Sequence, residues 1–385
     1  MTVRTALSGL VALTLLSGLT LYVGSRLGAA FPTGRPYIWA ALWAHALLVP
    51  INFALMRSES RGDWQAALAW PSWTLFGLFT LLLAGVILID LGALLGRAAG
   101  VEAMADPARR GLVLGPVYGL LASVAGGLTL YGYREARRLA QVVEVEVPIA
   151  GLPAALVGLR VAQISDVHVG PTITGAYLRG VVEQVNALSP DLVAVTGDLV
   201  DGTVEALGPD VAELQGLKSR HGTFFVTGNH EYYSGAEAWL AELERLGVRT
   251  LPNTHVTLDH DGATVIVAGV HDRSAARLLP SHASDPVAAV AGAPAEGLRL
   301  LLAHQPRSAY AAAAVGGFSL MLCGHTHAGQ YMPWSFFIGL VQPFAAGLHR
   351  LGEMWIYTNR GTGYWGPPNR AGVPAEITLL RLVAA

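Results

Sequence analysis

Gln163-Ile-Ser-Asp166-Val-His168 closes an apolar stretch on an aspartate and a histidine two residues apart. On a strand, side chains at i and i+2 leave on the same face. A carboxylate and an imidazole then converge just beyond its end, as a metal-ligand pair does. Asp-x-His alone is a weak signal, because the pair arises by chance. Four further clusters strengthen it: Gly197-Asp198-Leu-Val-Asp201-Gly202, Gly228-Asn229-His230-Glu231, Ala303-His304-Gln305-Pro306 and Gly324-His325-Thr326-His327. Each follows a similar apolar run.

Those runs read as short strands: Leu159 to Ser165, Leu192 to Thr196, Thr223 to Thr227, Thr264 to Val270, Leu298 to Ala303, Phe318 to Cys323, Met354 to Thr358 and Glu376 to Leu382. Amphipathic stretches such as Gly175 to Leu188 and Ala236 to Leu246 lie between the early ones. The pattern predicts an α/β domain with central sheets covered by helices, whose site gathers at the carboxyl ends of the strands. Glycine before the polar residues, at 197, 228 and 324, permits tight turns and leaves room for an ion or a phosphate against the backbone.

The first third of the chain is different. Hydrophobic residues make up 52% of the 385 and charged ones only 14%, with a mean hydropathy of +0.45, too apolar for an ordinary soluble enzyme. The excess lies in four stretches, 6–25, 37–56, 72–96 and 112–133, each long enough to cross a hydrocarbon core of roughly 30 Å. The first also resembles an uncleaved signal segment; three spans after it and the lack of a small-x-small cleavage site favour a retained helix. Residues 1–138 are therefore expected to form a transmembrane domain, 139–158 a linker and entry strand, and 159–385 the catalytic domain.

An even number of spans puts the N-terminus and the C-terminal domain on one side. That side holds Arg4, Arg57, Arg61, Arg134, Arg137 and Arg138, against Arg26, Arg35, Arg97, Arg109 and Arg110 on the other. The count does not decide orientation; the Arg134-x-x-Arg137-Arg138 cluster after the last span favours a cytoplasmic domain, here at a bacterial inner membrane. Asp90 inside the third span reads either as a functional site or as a polar residue paired within the bundle. The net charge of −2 and the absence of a basic run interleaved with aromatics argue against nucleic acid as a partner. Cys323 is the only cysteine and forms no intrachain disulfide.

The ordered series Asp-x-His, Gly-Asp-x-x-Asp, Gly-Asn-His-Glu, His and Gly-His-Thr-His resembles the calcineurin-like metallophosphoesterases over about residues 159 to 382. The run Gly324 to Gln330 and the segment Asn359-Arg-Gly-Thr-Gly-Tyr-Trp-Gly-Pro-Pro368 are similar to the membrane-attached YkuE-type and YaeI-type branch. The resemblance implies a four-layer α/β/β/α sandwich with two mixed sheets and a two-metal centre. One ion would be held by Asp166, His168, Asp198 and His327, the other by Asp198, Asn229, His304 and His325, with Asp198 bridging. The mixed N and O donors, without thiolate, suit Mn²⁺ first, and Fe or Zn²⁺ otherwise. Two such ions roughly 3.5 to 4 Å apart hold a phosphate between them and lower the pKa of a shared water for in-line attack. The resemblance also implies that His230 protonates the leaving oxygen, oriented by Asp201. Glu231 reads as a helix N-terminal charge.

Substrate is less marked. Asn359 and Arg360 are candidate phosphate contacts, with Arg370 behind them, and each also reads as a solvated or structural loop residue. His271-Asp272 reads as a support for the site or as packing. Tyr331-Met-Pro-Trp-Ser-Phe-Phe-Ile-Gly-Leu-Val341 is an interfacial or acyl-chain surface if exposed and a core-covering loop if buried. The expected activity is a membrane-bound phosphodiesterase acting on a lipid or amphiphilic phosphoester. The alternatives are a UDP-2,3-diacylglucosamine pyrophosphatase-like enzyme and, in another class, a phosphate-binding membrane sensor without turnover.

Overall fold

A computed structural model describes residues 3–55 and 62–385. Met56, Arg57 and Arg61 of the sequence reading lie outside them. The chain forms two compact units, one from 3–55, 63–134 and 366–369, the other from 135–365 and 370–385.

The first unit is helical: α1 (Val3–Ala30), α2 (Arg35–Leu55), α3 (Asp63–Ala98), the single turn α4 (Glu102–Ala105) and α5 (Pro107–Ala136). The four long ones are apolar and long enough to cross a membrane; even the 21-residue α2 reaches roughly 30 Å. Without a hydrophobic drive between helices in lipid, small residues set how closely they pack. A side chain at Gly24 would strike Trp39 of α2, and one at Gly85 would overlap Leu121 of α5. Asp90 is paired within the bundle, accepting from Tyr22, Tyr118 and Arg26.

The second unit holds twelve strands: β1 (Gln141–Ile149), β2 (Arg160–Ile164), β3 (Leu192–Val195), β4 (Thr223–Phe225), β5 (Arg249–Thr250), β6 (Thr254–His260), β7 (Ala263–Gly269), β8 (Leu298–Leu302), β9 (Leu320–Cys323), β10 (Gly347–Leu351), β11 (Met354–Thr358) and β12 (Glu376–Ala384). Its helices are α6 (Gly175–Ala187), α7 (Val204–Val211), α8 (Asn229–Ser234), α9 (Ala236–Arg245), α10 (Pro286–Ala289), α11 (Ser308–Val315) and α12 (Trp334–Val341). One sheet runs β1-β12-β2-β3-β4-β5 and the other β10-β11-β9-β8-β7-β6. Both are mixed: β2 to β5 are parallel and β12 antiparallel to β2, while β7, β8, β9 and β11 are parallel and flanked by antiparallel β6 and β10.

Strict alternation explains the four layers. Val161, Leu192, Ala194, Leu300, Leu302, Leu320 and Leu322 meet between the sheets. Their neighbours Ala162, Ile164, Val193 and Val195 pack outward under α6, α7 and α9, and Leu301, Met321 and Cys323 under α10 and α11. Strands buried on both faces read as continuous apolar runs, which is why the sequence marks them. The parallel strands also place their carboxyl ends along one edge of each sheet, and the polar clusters follow those ends.

Candidate metal centre

Asp166 and His168 follow β2, Asp198 and Asp201 follow β3, Asn229 and His230 open α8 after β4, His304 follows β8, and His325 and His327 follow β9. The pairing of β2 with β3 continues through the loops: Asp166 N donates to Gly197 O at 3.0 Å, His168 N to Asp198 O at 3.1 Å and Val169 N to Leu199 O at 2.8 Å. Asp166, His168, Asp198, His325 and His327 all have positive φ, between 49° and 72°. Non-glycine residues rarely stay in that region, and their clustering marks backbone strained to aim side chains.

Three residues of each metal set named from the sequence come together. Asp166, His168 and His327 offer donor atoms within 4.8 Å of one another, as do Asp198, His304 and His325, and His168, Asp198 and His230 form a third such group. Their ring nitrogens and carboxylate oxygens converge on one another at close range. His304 Nδ1 lies 2.8 Å from the Thr196 carbonyl, which only accepts, so Nδ1 carries a proton and Nε2 is the nitrogen turned to the centre. That Nε2 faces Asp198 Oδ2 at 3.1 Å; burial opposes a charge on the ring, but the carboxylate outweighs it and raises His304 well above its ordinary value. His168 Nδ1 donates to Asp201 at 3.3 Å, leaving Nε2 bare 3.1 Å from His327 Nε2. Asn229 Oδ1 is buried without a partner among the described residues. Buried imidazoles and carboxylates converging in this way, with an orphaned carbonyl oxygen beside them, make a mixed N and O donor set that fits divalent cations. Cys323 adds no thiolate: it is fully buried and burial pushes its thiol up to about 12.

The electrostatics agree. Burial alone would raise the Asp166, Asp198 and Asp201 carboxyls, yet the surrounding imidazoles hold all three well below the usual range. Burial pushes His327 down to about 4, so it stays neutral, with Nδ1 accepting from Arg370 Nη2 at 3.3 Å. His230 goes the other way: burial opposes its charge, but Asp198 and Asp201 outweigh that and raise it to about 9. Its Nδ1 donates to Asp201 at 2.5 Å, which leaves Nε2 facing the centre, 3.9 Å from Asp198 Oδ2.

Glu231 does more than charge a helix terminus. It is fully buried, with Oε1 accepting from Leu199 N at 2.7 Å and Oε2 from Asp198 N at 3.0 Å and Gly228 N at 2.6 Å. One carboxylate thus locks the Asp198 turn to the start of α8; burial, with Asp198 adding, pushes it up to about 7. The three glycines also separate. Gly197 needs its φ of 84°, whereas Gly228 and Gly324 have ordinary φ and are small because the Asp198 and Asp166 carboxylates press against them.

Of the substrate candidates, Asn359 does not reach the site surface. It is fully buried, donating to Thr378 Oγ1 at 2.9 Å and accepting from Gly361 N at 2.7 Å. Arg360 is partly exposed and leans on Glu376 at 3.5 Å. Arg370 is buried too, its guanidinium taken by the carbonyls of Arg360, Gly361 and Gly363, with Nη2 3.3 Å from His327 Nδ1. The segment is a brace: Thr362 N donates to Ser165 O at 2.7 Å and Gly363 N to Asp166 O at 3.0 Å. His271 also lies apart from the ligands, stacked on His282 at 4.1 Å and bonded to Tyr232.

Two aromatic residues beside His230 lie outside the ligand motifs, Trp365 within the 359–368 segment. Tyr233 and Trp365, both exposed, stand edge-on to its ring at 5.3 and 5.5 Å. The only signal in the sequence is their aromatic character next to a cluster. Of the stretch from Tyr331, Trp334–Val341 forms α12 with no buried residue, while Tyr331 itself is buried; Phe336 and Leu340 are 72% and 80% exposed.

Comparison with known proteins follows the same lines. The family model for the calcineurin-like phosphoesterase matches residues 159–329. The chain is 37% identical over 326 residues to a Danio rerio transmembrane protein with metallophosphoesterase domain, covering 82% of this chain and 73% of that one. A Bos taurus protein of the same name is 39% identical over 300 residues, covering 75% and 66%. The uncharacterized metallophosphoesterase YkuE of Bacillus subtilis is 27% identical, covering 69% and 94%. The Danio rerio match is longer than the C-terminal domain, so it takes in part of the helical region. With its opposed donors at the ends of parallel strands, the chain belongs to the calcineurin-like metallophosphoesterases, a family of metal-dependent phosphoester hydrolases.

Proposed function

We propose that this chain is a membrane-anchored phosphodiesterase that uses two divalent cations, Mn²⁺ first among them, to hydrolyse an amphiphilic phosphoester. Asp166, His168, Asp198 and His327 would hold one cation, and Asp198, Asn229, His304 and His325 the other. When bound, the pair supplies Lewis-acid polarisation of the phosphate and a nucleophilic water at neutral pH.

The chain's own groups do the rest. Asp201 fixes the His168 tautomer that bares Nε2, and by the same carboxylate holds His230 protonated at Nδ1. His230 Nε2 then presents its proton toward the centre and delivers it to the leaving oxygen. Glu231 holds the Asp198 turn while the brace from Asn359 to Gly363 holds Asp166, so the donors keep their places without substrate. The pairing of His230 with Asp201 at 2.5 Å carries the reading of an enzyme over that of a phosphate sensor, because binding alone needs no oriented acid.

The amphiphilic substrate rests on α12. Its exposed Phe336, Phe337, Leu340 and Val341 begin within ten residues of His327, too large an apolar surface to face water without a purpose. An interfacial helix there would draw acyl chains toward the site. The Arg134-x-x-Arg137-Arg138 cluster supports a cytoplasmic catalytic domain, in our reading at a bacterial inner membrane. The test is hydrolysis by the metal-loaded full-length protein of bis-p-nitrophenyl phosphate and of a total lipid extract, the latter scored by mass spectrometry for released head groups. No turnover of either sinks the enzyme; turnover of the soluble diester alone sinks only the amphiphile.

A further inference from the structure

We propose that the helical unit carries a second anion site, which binds a phosphate group presented by an anionic phospholipid headgroup or by free phosphate. It is a cavity of about 420 Å³ between α1, α3 and the start of α5, at the end of the bundle away from the C-terminus of α5. Arg26, Asp90, Arg97, Arg110 and Tyr118 line it.

The charge balance carries the argument. Asp90 is the only carboxylate in the lining, and both of its oxygens are in use. Oδ2 accepts from Tyr22 Oη and from Arg26 Nε, each at 2.8 Å, and Oδ1 from Tyr118 Oη at 2.9 Å. Arg26 therefore neutralises it, and the other two arginines are left over. Arg97 has no side-chain partner among the described residues. Arg110 reaches only the uncharged Met104 carbonyl, at 3.4 Å. The acidic residues of the nearby turn turn elsewhere, since Arg109 pairs with Glu102 at 3.9 Å and Asp106 at 3.6 Å.

Two uncompensated guanidinium groups at the mouth of one cavity attract an anion, and their planar forks match phosphate oxygens better than a point charge does. Arg97 lies in the last turn of α3 and Arg110 in the first turn of α5, the depth at which phospholipid headgroups sit when the helices span a bilayer. Cavity volume fits as well, since pockets for small ligands run from about 300 to 1,000 Å³. Gly115 forms part of the wall, and a Cβ built on it meets nothing within 4 Å.

The experiment uses the full-length chain in a mild non-ionic detergent, with native mass spectrometry after addition of phosphatidylglycerol, phosphatidylcholine or inorganic phosphate. Phosphatidylglycerol is expected to stay bound in preference to phosphatidylcholine. The double variant R97Q/R110Q should lower its retention at least tenfold. Gly115→Phe should do the same with every charge in place, because its ring fills the cavity; it keeps the test valid if the arginine variant fails to fold. Hydrolysis of bis-p-nitrophenyl phosphate should be unchanged in both. Displacement of the lipid by millimolar inorganic phosphate assigns the site to free phosphate, and its absence assigns it to the headgroup. Equal retention by the wild type and both variants, or equal retention of the two lipids, overturns the proposal and leaves merely solvated arginines.

Discussion

Replacing Gln163 by methionine separates the stability of the fold from the geometry of the centre. Gln163 is fully buried between the sheets, and its amide nitrogen donates to Thr196 Oγ1 at 2.9 Å and to the Cys323 carbonyl at 3.0 Å. It thereby ties the end of β2, which carries Asp166, to the end of β9, which carries His325. Methionine keeps the length and volume, so no cavity opens. Two neutral hydrogen bonds are lost, at about 1 kcal/mol each. Against that, Gln163 Oε1 has no partner among the described residues, and removing a buried unpaired acceptor stabilises by about 1 to 3 kcal/mol. Cys323 O still accepts from Asn359 N at 2.8 Å. The sum lies within about 1 kcal/mol of zero, a shift of roughly 4 °C or less in Tm. Catalysis has no such compensation, because a misplacement near 1 Å costs about 100-fold. The expected result is a 10- to 100-fold fall in kcat/KM on bis-p-nitrophenyl phosphate with Mn²⁺, at nearly constant Tm. An unchanged rate refutes the reasoning, and so does a Tm loss large enough to explain the fall.

Asp198→Ala should empty both cation positions, read as metal per chain by elemental analysis; retention of two ions would disprove the bridging role. His230→Asn should keep the metals and lower kcat about 10²- to 10⁴-fold; loss of metal with the rate would make His230 a ligand instead. Phe336→Asp with Leu340→Asp should leave the soluble diester untouched and cut turnover of an amphiphilic diester in vesicles at least tenfold, and parallel losses on both substrates would refute the role of α12. His271 gives a pH dependence: burial, with His282 adding, lowers it to about 4 against 6.5 when unfolded. Its neutral form is favoured in the fold, so the stability it contributes is complete above about pH 6.5 and is lost as pH falls toward 4. Fully realised that is about 3 kcal/mol, and screening at a half-buried pair reduces it to about 1 to 2 kcal/mol. His271→Asn should flatten the fall in Tm between pH 6.5 and 4.5, and a fall parallel to the wild type counts against it.

The strands that the sequence revealed and those it hid differ in one physical respect. All eight expected strands are present, within two residues at nearly every end. The four outside those eight, β1, β5, β6 and β10, are the four edges of the two sheets. An edge strand has one flank and much of one face toward solvent, so its apolar run is broken. Thr254-His-Val-Thr-Leu-Asp-His260 looks like a polar loop until β7 supplies its partner. β1 lies in 139–158, expected to hold a linker and an entry strand, and it pairs with β12 along nine residues.

The centre was legible for a related reason, and its support was not. Asp, His and Asn after five buried strands are costly unless they share an ion, so residue type and position together betray ligands. A polar side chain that serves the backbone instead gives the same letters. Asn359 and Arg370 sit in a segment as rich in polar residues as any ligand cluster, yet their polar atoms go to Thr378 and to the amide and carbonyls of the 360–363 turn. Glu231 likewise spends both oxygens on three N–H groups. Backbone conformation tracks the difference in part, since Asp201, Asn229, His230 and His304 have ordinary φ. Among the nine motif residues proposed as ligands or acid pair, five are non-glycine with positive φ, whereas Asn359, Arg370 and Glu231 are not. Strain is held where a side chain must point away from its own backbone into a common centre. It is not needed where a side chain folds back to satisfy the chain that carries it, and residue letters do not record φ.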